Sequence, residues 1–269
     1  MPLPWLSWSW FKLMAQLIVM NGVGFGYPGQ TPILSGVNLE ISQGDRILIL
    51  GPNGSGKSTL ALLIAGLLIP TSGAINYFLS RPEIGIVFQN SRRQLVGSTV
   101  EHELAFGLSL RNIPTDLLKN KVDDFLTKFD LAAKRECHPN QLSGGELRRL
   151  ALASVLITEP QILILDEPLT MLDQEHQTAF LSCLAKNIRR DTVIIWFDHD
   201  LRAVRHTQKW MVLSEAGGLS EVTLAELNSE AYLKRHGLTP APLQWLEWRL
   251  PGRVSGAIYG PEGIKFDRG

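Results

Sequence analysis

Cysteine is nearly missing from this chain: Cys137 and Cys183 are the only two, far apart and in no Cys-x-x-Cys pair. Neither a disulfide framework nor a cysteine zinc site can be built from them, and a reducing compartment is expected. Net charge is missing too, with 26 Lys and Arg set against 26 Asp and Glu. That balance removes the long-range attraction to phosphate on which most nucleic-acid binders depend, so no nucleic-acid partner is expected. The sequence also lacks the run of roughly 18 or more apolar residues that a membrane-spanning helix requires; residues 60–69 come nearest and are too short. The first 11 residues carry Trp5, Trp8 and Trp10 but neither a basic leader region nor a small-residue cleavage site, which argues against a secretory signal. No internal repeat or low-complexity run is present.

What is present suits a folded α/β chain. With 269 residues and 45% of them hydrophobic, about three quarters of the unfolded surface can be buried on folding. Short apolar runs at 46–50, 84–88, 162–166, 192–197 and 210–213 read as strands buried on both faces, the pattern of a parallel sheet. Ahead of them, 17–20 and 37–41 flank a turn-rich stretch and predict an antiparallel hairpin or meander at one side. Residues 59–68 predict an apolar helix. Between 98 and 157 strand signals vanish, and Leu117, Leu118, Val122, Phe125, Leu126 and Phe129 form one helical stripe behind Pro114 and Thr115 as stop and cap. The expected organisation is an extension at 1–13 outside the fold, with Met14 as a working start, a domain over 14–236 with a helical subdomain at about 98–157, and a Gly/Pro-rich tail at 237–269.

Three clusters carry chemistry. Gly51-Pro-Asn53-Gly54-Ser55-Gly56-Lys57-Ser58-Thr59 follows a predicted strand and opens a predicted helix, the context in which a glycine-rich loop cradles phosphates. Its backbone N–H groups and the helix N-terminus favour an anion, Lys57 reaches the β and γ phosphates, and Ser58 ligates Mg²⁺. Asp166 and Glu167 end an apolar strand, where open parallel sheets present their ligands. Asp166 there suits Mg²⁺ through its water shell, and Glu167 suits proton abstraction from an attacking water. Ser143 and Glu146 have capping-box spacing, and Gly144 and Gly145 in that first turn imply close approach to bare backbone, as by a phosphate.

In order, the P-loop, Gln89 at a strand end, Leu142-Ser143-Gly144-Gly145-Glu146, Asp166-Glu167, Asp173 and then His199 resemble the nucleotide-binding domain of ABC-type ATPases over about residues 17–211. The resemblance implies a P-loop ABC ATPase fold with a RecA-like parallel-sheet core, an antiparallel β flank and an inserted helical subdomain. It implies ATP and Mg²⁺ as ligands, Tyr27 stacking on adenine, Gln89 sensing Mg²⁺ and the attacking water, and His199 contacting the γ phosphate. It places Asp173 at a dimer contact and Ser143 and Gly145 against ATP held by a second ABC ATPase subunit, identical or related. Met171 and Leu169 depart from the family, which has a small residue and Thr or Ser there.

A narrower likeness covers residues 88–107, Phe-Gln-Asn-Ser-Arg-Arg-Gln-Leu-Val-Gly-Ser-Thr-Val-Glu-His-Glu-Leu-Ala-Phe-Gly, which are similar to the ATPases of energy-coupling-factor importers of cobalt, nickel or vitamins. That likeness implies a transmembrane transporter subunit, a separate substrate-binding membrane protein, and a peripheral position on the cytoplasmic face of the membrane. Ser98 and Glu101 read as a capping box starting a helix just after the Gln89 loop and the flexible polar stretch 90–94. A soluble ABC ATPase acting on DNA, ribosomes or cluster assembly is the competing expectation, without the coiled-coil insertion or basic arm such proteins carry.

Overall fold

The computed structural model describes residues 16–78, 82–111 and 113–240. The predicted extension at 1–13, and the tail beyond 240, lie outside them. In chain order these residues form β1 (Gln16–Phe25), β2 (Leu34–Ser42), β3 (Arg46–Leu50), α1 (Lys57–Ile64), β4 (Ser72–Tyr77), β5 (Ile84–Val87), α2 (Ser91–Gln94), α3 (Val100–Ser109) and α4 (Thr115–Lys128). Then come α5 (Gly144–Leu156), β6 (Ile162–Asp166), α6 (Gln174–Asn187), β7 (Val193–Asp198), β8 (Lys209–Leu213), β9 (Leu219–Glu221), α7 (Leu224–Leu227) and α8 (Glu230–Arg235). Two compact units result, one from the described residues of 1–80 and 194–269, the other from those of 81–193.

In the first unit β1 pairs antiparallel with β2 on one side and β4 on the other, the flank the hairpin signals predicted. β3 pairs in parallel with β7 and with β8, and β9 returns antiparallel on β8. Ile47, Leu48, Ile49 and Leu50 are wholly buried, which is why a continuous apolar run rather than an alternating one encodes this strand. Helix α1 begins earlier and stops earlier than the apolar run 59–68 predicts. Gly56 at its N-cap is left-handed (φ 96°), and after Ala65 the chain turns at Gly66 (φ 71°), leaving Leu67 largely exposed. Past α8 the chain stays packed: Leu238 is buried, and the Thr239 N–H donates to the His199 carbonyl at 3.0 Å.

The second unit holds the parallel pair β5–β6, with Ile84 opposite Ile162 and Val87 opposite Leu165, and no strand among its described residues between 98 and 157. Val122, Phe125, Leu126 and Phe129 bury the stripe of α4, but Leu117 is exposed, because it falls in the first turn beyond the packed face. Thr115 is the first residue of that helix and supplies no side-chain cap. The capping box read from Ser98 and Glu101 is not formed: the cap lies one residue on, and the Glu101 carboxylate accepts from Arg135 instead. Thr99 is the N-cap, its Oγ1 accepting from the His102 N–H, while the Ser98 hydroxyl meets His102 Nδ1 at 2.7 Å. Within the polar stretch 90–94, Ser91–Gln94 form one helical turn, and Gln94 Oε1 accepts from the Phe88 N–H at 3.0 Å.

Candidate nucleotide-binding and hydrolysis site

Within the first unit, β3 delivers the chain into the loop Gly51–Gly56 and α1 takes it out. Gly54 and Gly56 have φ of 85° and 96°, a conformation that costs an L side chain about 1–2 kcal/mol. At Gly56 a Cβ would also lie 2.6 Å from Ile33 Cγ2, so glycine is required twice over. Lys57 is buried, and its Nζ donates to the carbonyls of Gly51 at 2.8 Å and Pro52 at 3.0 Å, which curls the loop around the ammonium. Asn53, Gly54 and Ser58 are exposed at the rim. The buried Ser55 hydroxyl has no hydrogen-bond partner, and α1 has neither a side-chain cap nor an acid in its first turn. A loop with uncapped N–H donors and an orphaned hydroxyl fits a bound polyphosphate, since those donors otherwise stay unsatisfied.

Tyr27 lies beyond the end of β1, its ring edge-on to Phe25 at 5.0 Å and more than a third exposed. His199 follows β7, and the buried carboxylate of Asp198 supports it: Oδ1 accepts from the His199 N–H at 2.8 Å and lies 3.4 Å from Nδ1. Burial, with the nearby charge of Asp200, pushes Asp198 up to about 6 against donation from His199, Trp196 and Asp200. Sequence reasoning missed Asp198; its place immediately before the histidine was the available signal.

Within the second unit, the buried Asp166 ends β6 and Glu167 follows in a left-handed conformation (φ 46°). Glu167 Oε2 accepts from Gln89 Nε2 at 2.8 Å and from Thr170 Oγ1 at 3.3 Å. Gln89 and Glu167, 78 positions apart, are therefore brought together as a pair. The capping box of α5 is formed, the Ser143 N–H donating to Glu146 Oε2 and the Glu146 N–H to Ser143 Oγ. Gly144 has nothing within 4 Å of a notional Cβ, whereas at Gly145 a Cβ would sit 1.7 Å from His176 Cδ2. The close approach expected at this glycine pair thus comes, at Gly145, from the chain's own histidine. That ring is held by Asp173, whose Oδ1 meets His176 Nδ1 at 2.7 Å and accepts from its N–H at 2.8 Å; these donations draw the Asp173 carboxyl below its ordinary range. Met171 is almost fully exposed at φ 64°, where a residue without a side chain is conformationally cheaper. A cleft of about 350 Å³ is lined by Gln89, Ser91, Gly144, Arg148, Thr170 and Met171.

The glycine-rich loop after a buried parallel strand and the paired Gln89–Glu167 each fit a P-loop nucleoside-triphosphatase of the ABC type. Comparison with known proteins agrees. The sequence pattern of the ABC transporter family matches residues 34–170. The energy-coupling factor transporter ATP-binding protein EcfA of Methanothermobacter thermautotrophicus is 32% identical over 239 residues, covering 84% of this chain and 77% of that protein. EcfA1 of Enterococcus faecalis is 37% identical over 226 residues, 78% of this chain and 80% of that protein. Among solved structures, cbiO1 from Clostridium perfringens, part of the ABC transporter complex cbiONQ, superposes with a TM-score of 0.70 at 28% identity, covering 88% of this chain and 96% of that one. This chain belongs to the ABC transporter family, as one of its ATP-binding subunits. No helix among the described residues is long and apolar enough to cross a membrane.

Proposed function

We propose that the chain is the ATP-hydrolysing motor of an energy-coupling-factor importer for metal ions or vitamins. It works as a nucleotide-sandwich dimer with an identical or related ATPase subunit, peripheral on the cytoplasmic face, with a transmembrane subunit and a separate substrate-binding membrane protein. The likeness to the EcfA proteins supports the importer. The observation that carries hydrolysis is the buried Glu167 carboxylate with the Gln89 amide on it at 2.8 Å.

In this reading Gly51, Asn53, Gly54, Ser55, Gly56, Lys57, Ser58 and Thr59 hold the phosphates and Tyr27 stacks on adenine. Ser58, Gln89 and Asp166 would hold Mg²⁺, which would supply neutralisation of the charge that develops on the phosphoryl oxygens. Glu167 accepts a proton from the attacking water, Gln89 orients that water, and His199 donates toward the γ phosphate from the position Asp198 gives it. Ser143, Gly144 and Gly145 present the start of α5 to ATP held by the second subunit; the open backbone at Gly144 admits such an approach. The exposed side of α3, where Phe106 stands half-exposed, receives a cytoplasmic helix of the membrane partner. Purifying the complex from membranes with this subunit as bait tests the importer reading: co-purifying integral membrane proteins support it, and recovery of DNA or ribosomal components instead defeats it.

A further inference from the structure

Arg148 is a buried cation on the second turn of α5, and burial holds its guanidinium below its ordinary range. Its hydrogen bonds go to neutral carbonyls: Nη1 donates to Phe88 O at 3.1 Å and Gln89 O at 2.8 Å, and Nη2 to Thr170 O at 3.2 Å. Gln89 and Thr170 both donate from their side chains to Glu167 Oε2. One guanidinium therefore holds the backbone of both donors to the same carboxylate oxygen. Phe88 is tied to the same helix a second time, through Gln94, which accepts from its N–H and donates to Ala151 O at 3.4 Å.

We propose that Arg148 is a positioning residue that sets Gln89 and Thr170 on the Glu167 carboxylate and makes their placement depend on where α5 stands. A planar fork can reach carbonyls on two chain segments at once, whereas the compact ammonium of lysine cannot hold the same geometry. Because Ser143, Gly144 and Gly145 open that helix, engagement at its N-terminus is transmitted to Glu167 through this side chain. The inference rests on the reading of Glu167 as general base.

The test is steady-state ATP hydrolysis by the full chain as wild type, Arg148→Lys, Arg148→Gln, Gln89→Ala, Arg148→Lys/Gln89→Ala and Glu167→Gln, each with a melting temperature. Arg148→Lys is expected to lower kcat about 10- to 100-fold, the size of an ångström-scale misplacement, while KM for ATP stays within about twofold, since a positioning defect acts on turnover rather than binding. The double variant should lose less than the product of the single losses, because both act on one contact. Wild-type kcat in folded Arg148→Lys and Arg148→Gln would overturn the proposal, as would losses that multiply fully. A fall in melting temperature beyond about 10 °C in both Arg148 variants, more than 1 kcal/mol produces in a domain of this size, would make the residue a pin of the fold and reject the role. Turnover retained by Glu167→Gln would remove this inference and the base assignment together; turnover lost there but intact in Arg148→Lys would remove this inference alone.

Discussion

Gln89 Nε2 donates to Glu167 Oε2 across 2.8 Å, joining the end of β5 to the end of β6. Glu167→Gln should therefore abolish turnover, lowering kcat by about 10² to 10⁴ as loss of a general base does, while ATP still binds and traps a stable dimer detectable by size-exclusion chromatography. Steady-state hydrolysis near the wild-type rate would contradict the assignment.

Lys57→Ala should fail in a different way. Its Nζ lies buried against the carbonyls of Gly51 and Pro52, so the variant loses both the phosphate contact and the brace of the loop. Calorimetric titration should show markedly weaker ATP binding, with unchanged affinity counting against the phosphate cradle.

The two glycines opening α5 should separate. Gly145→Ala places a methyl group on the His176 ring, and overpacking of this kind typically costs about 1–3 kcal/mol, so its melting temperature should fall and partly recover in Gly145→Ala/His176→Ala. Gly144→Ala meets open space and should melt as wild type while weakening the ATP-dependent dimer. Equal behaviour of the two in both assays would refute the distinction.

Two groups, the buried Asp198 and the surface-exposed His206, should give opposite pH trends in stability. Asp198, pushed up to about 6 from 3.8 by burial and the charge of Asp200, holds its proton better folded than unfolded; its contribution is complete below the unfolded value and lost as pH rises through about 6. His206, exposed overall but with its ring stacked on the buried Trp196, is pushed down to about 4 from 6.5 by desolvation and then by Arg205. Its contribution is present above 6.5 and lost as pH falls toward 4. Measured by urea denaturation relative to wild type, Asp198→Asn should improve from pH 5 to pH 7.5, and His206→Phe should improve from pH 7.5 to pH 5. Parallel curves for wild type and either variant would show that the group titrates alike folded and unfolded.

On α3, Phe106 is half-exposed whereas Leu104 and Leu108 are fully buried. Phe106→Ala should therefore lower uptake or complex assembly far more than basal ATP hydrolysis, with little change in melting temperature. Leu104→Ala should instead lose about 2–5 kcal/mol of stability. Normal uptake by folded Phe106→Ala would remove this face as the membrane-partner contact.

What the sequence determined by itself is whatever depends on neighbours in the chain. The glycine-rich loop 51–59 is contiguous, the strands are written as apolar runs, and Ser143 with Glu146 forms its cap within one turn, so local geometry alone makes them legible. Even there, the boundaries of α1 and the N-cap of α3 shifted by one or a few residues, because Gly56, Gly66 and Thr99 set them through backbone conformation and hydrogen bonding rather than hydrophobic pattern. The supports of the site were decided by tertiary structure. His176 on Gly145 brings a helix-start glycine against a residue 31 positions on, and Arg148 reaches Phe88, 60 positions away, and Thr170, 22 away. No periodicity announces such contacts. An arginine on an amphipathic helix reads as solvated until packing buries it, and only the close passage of three backbone segments turns its charge into a link between them.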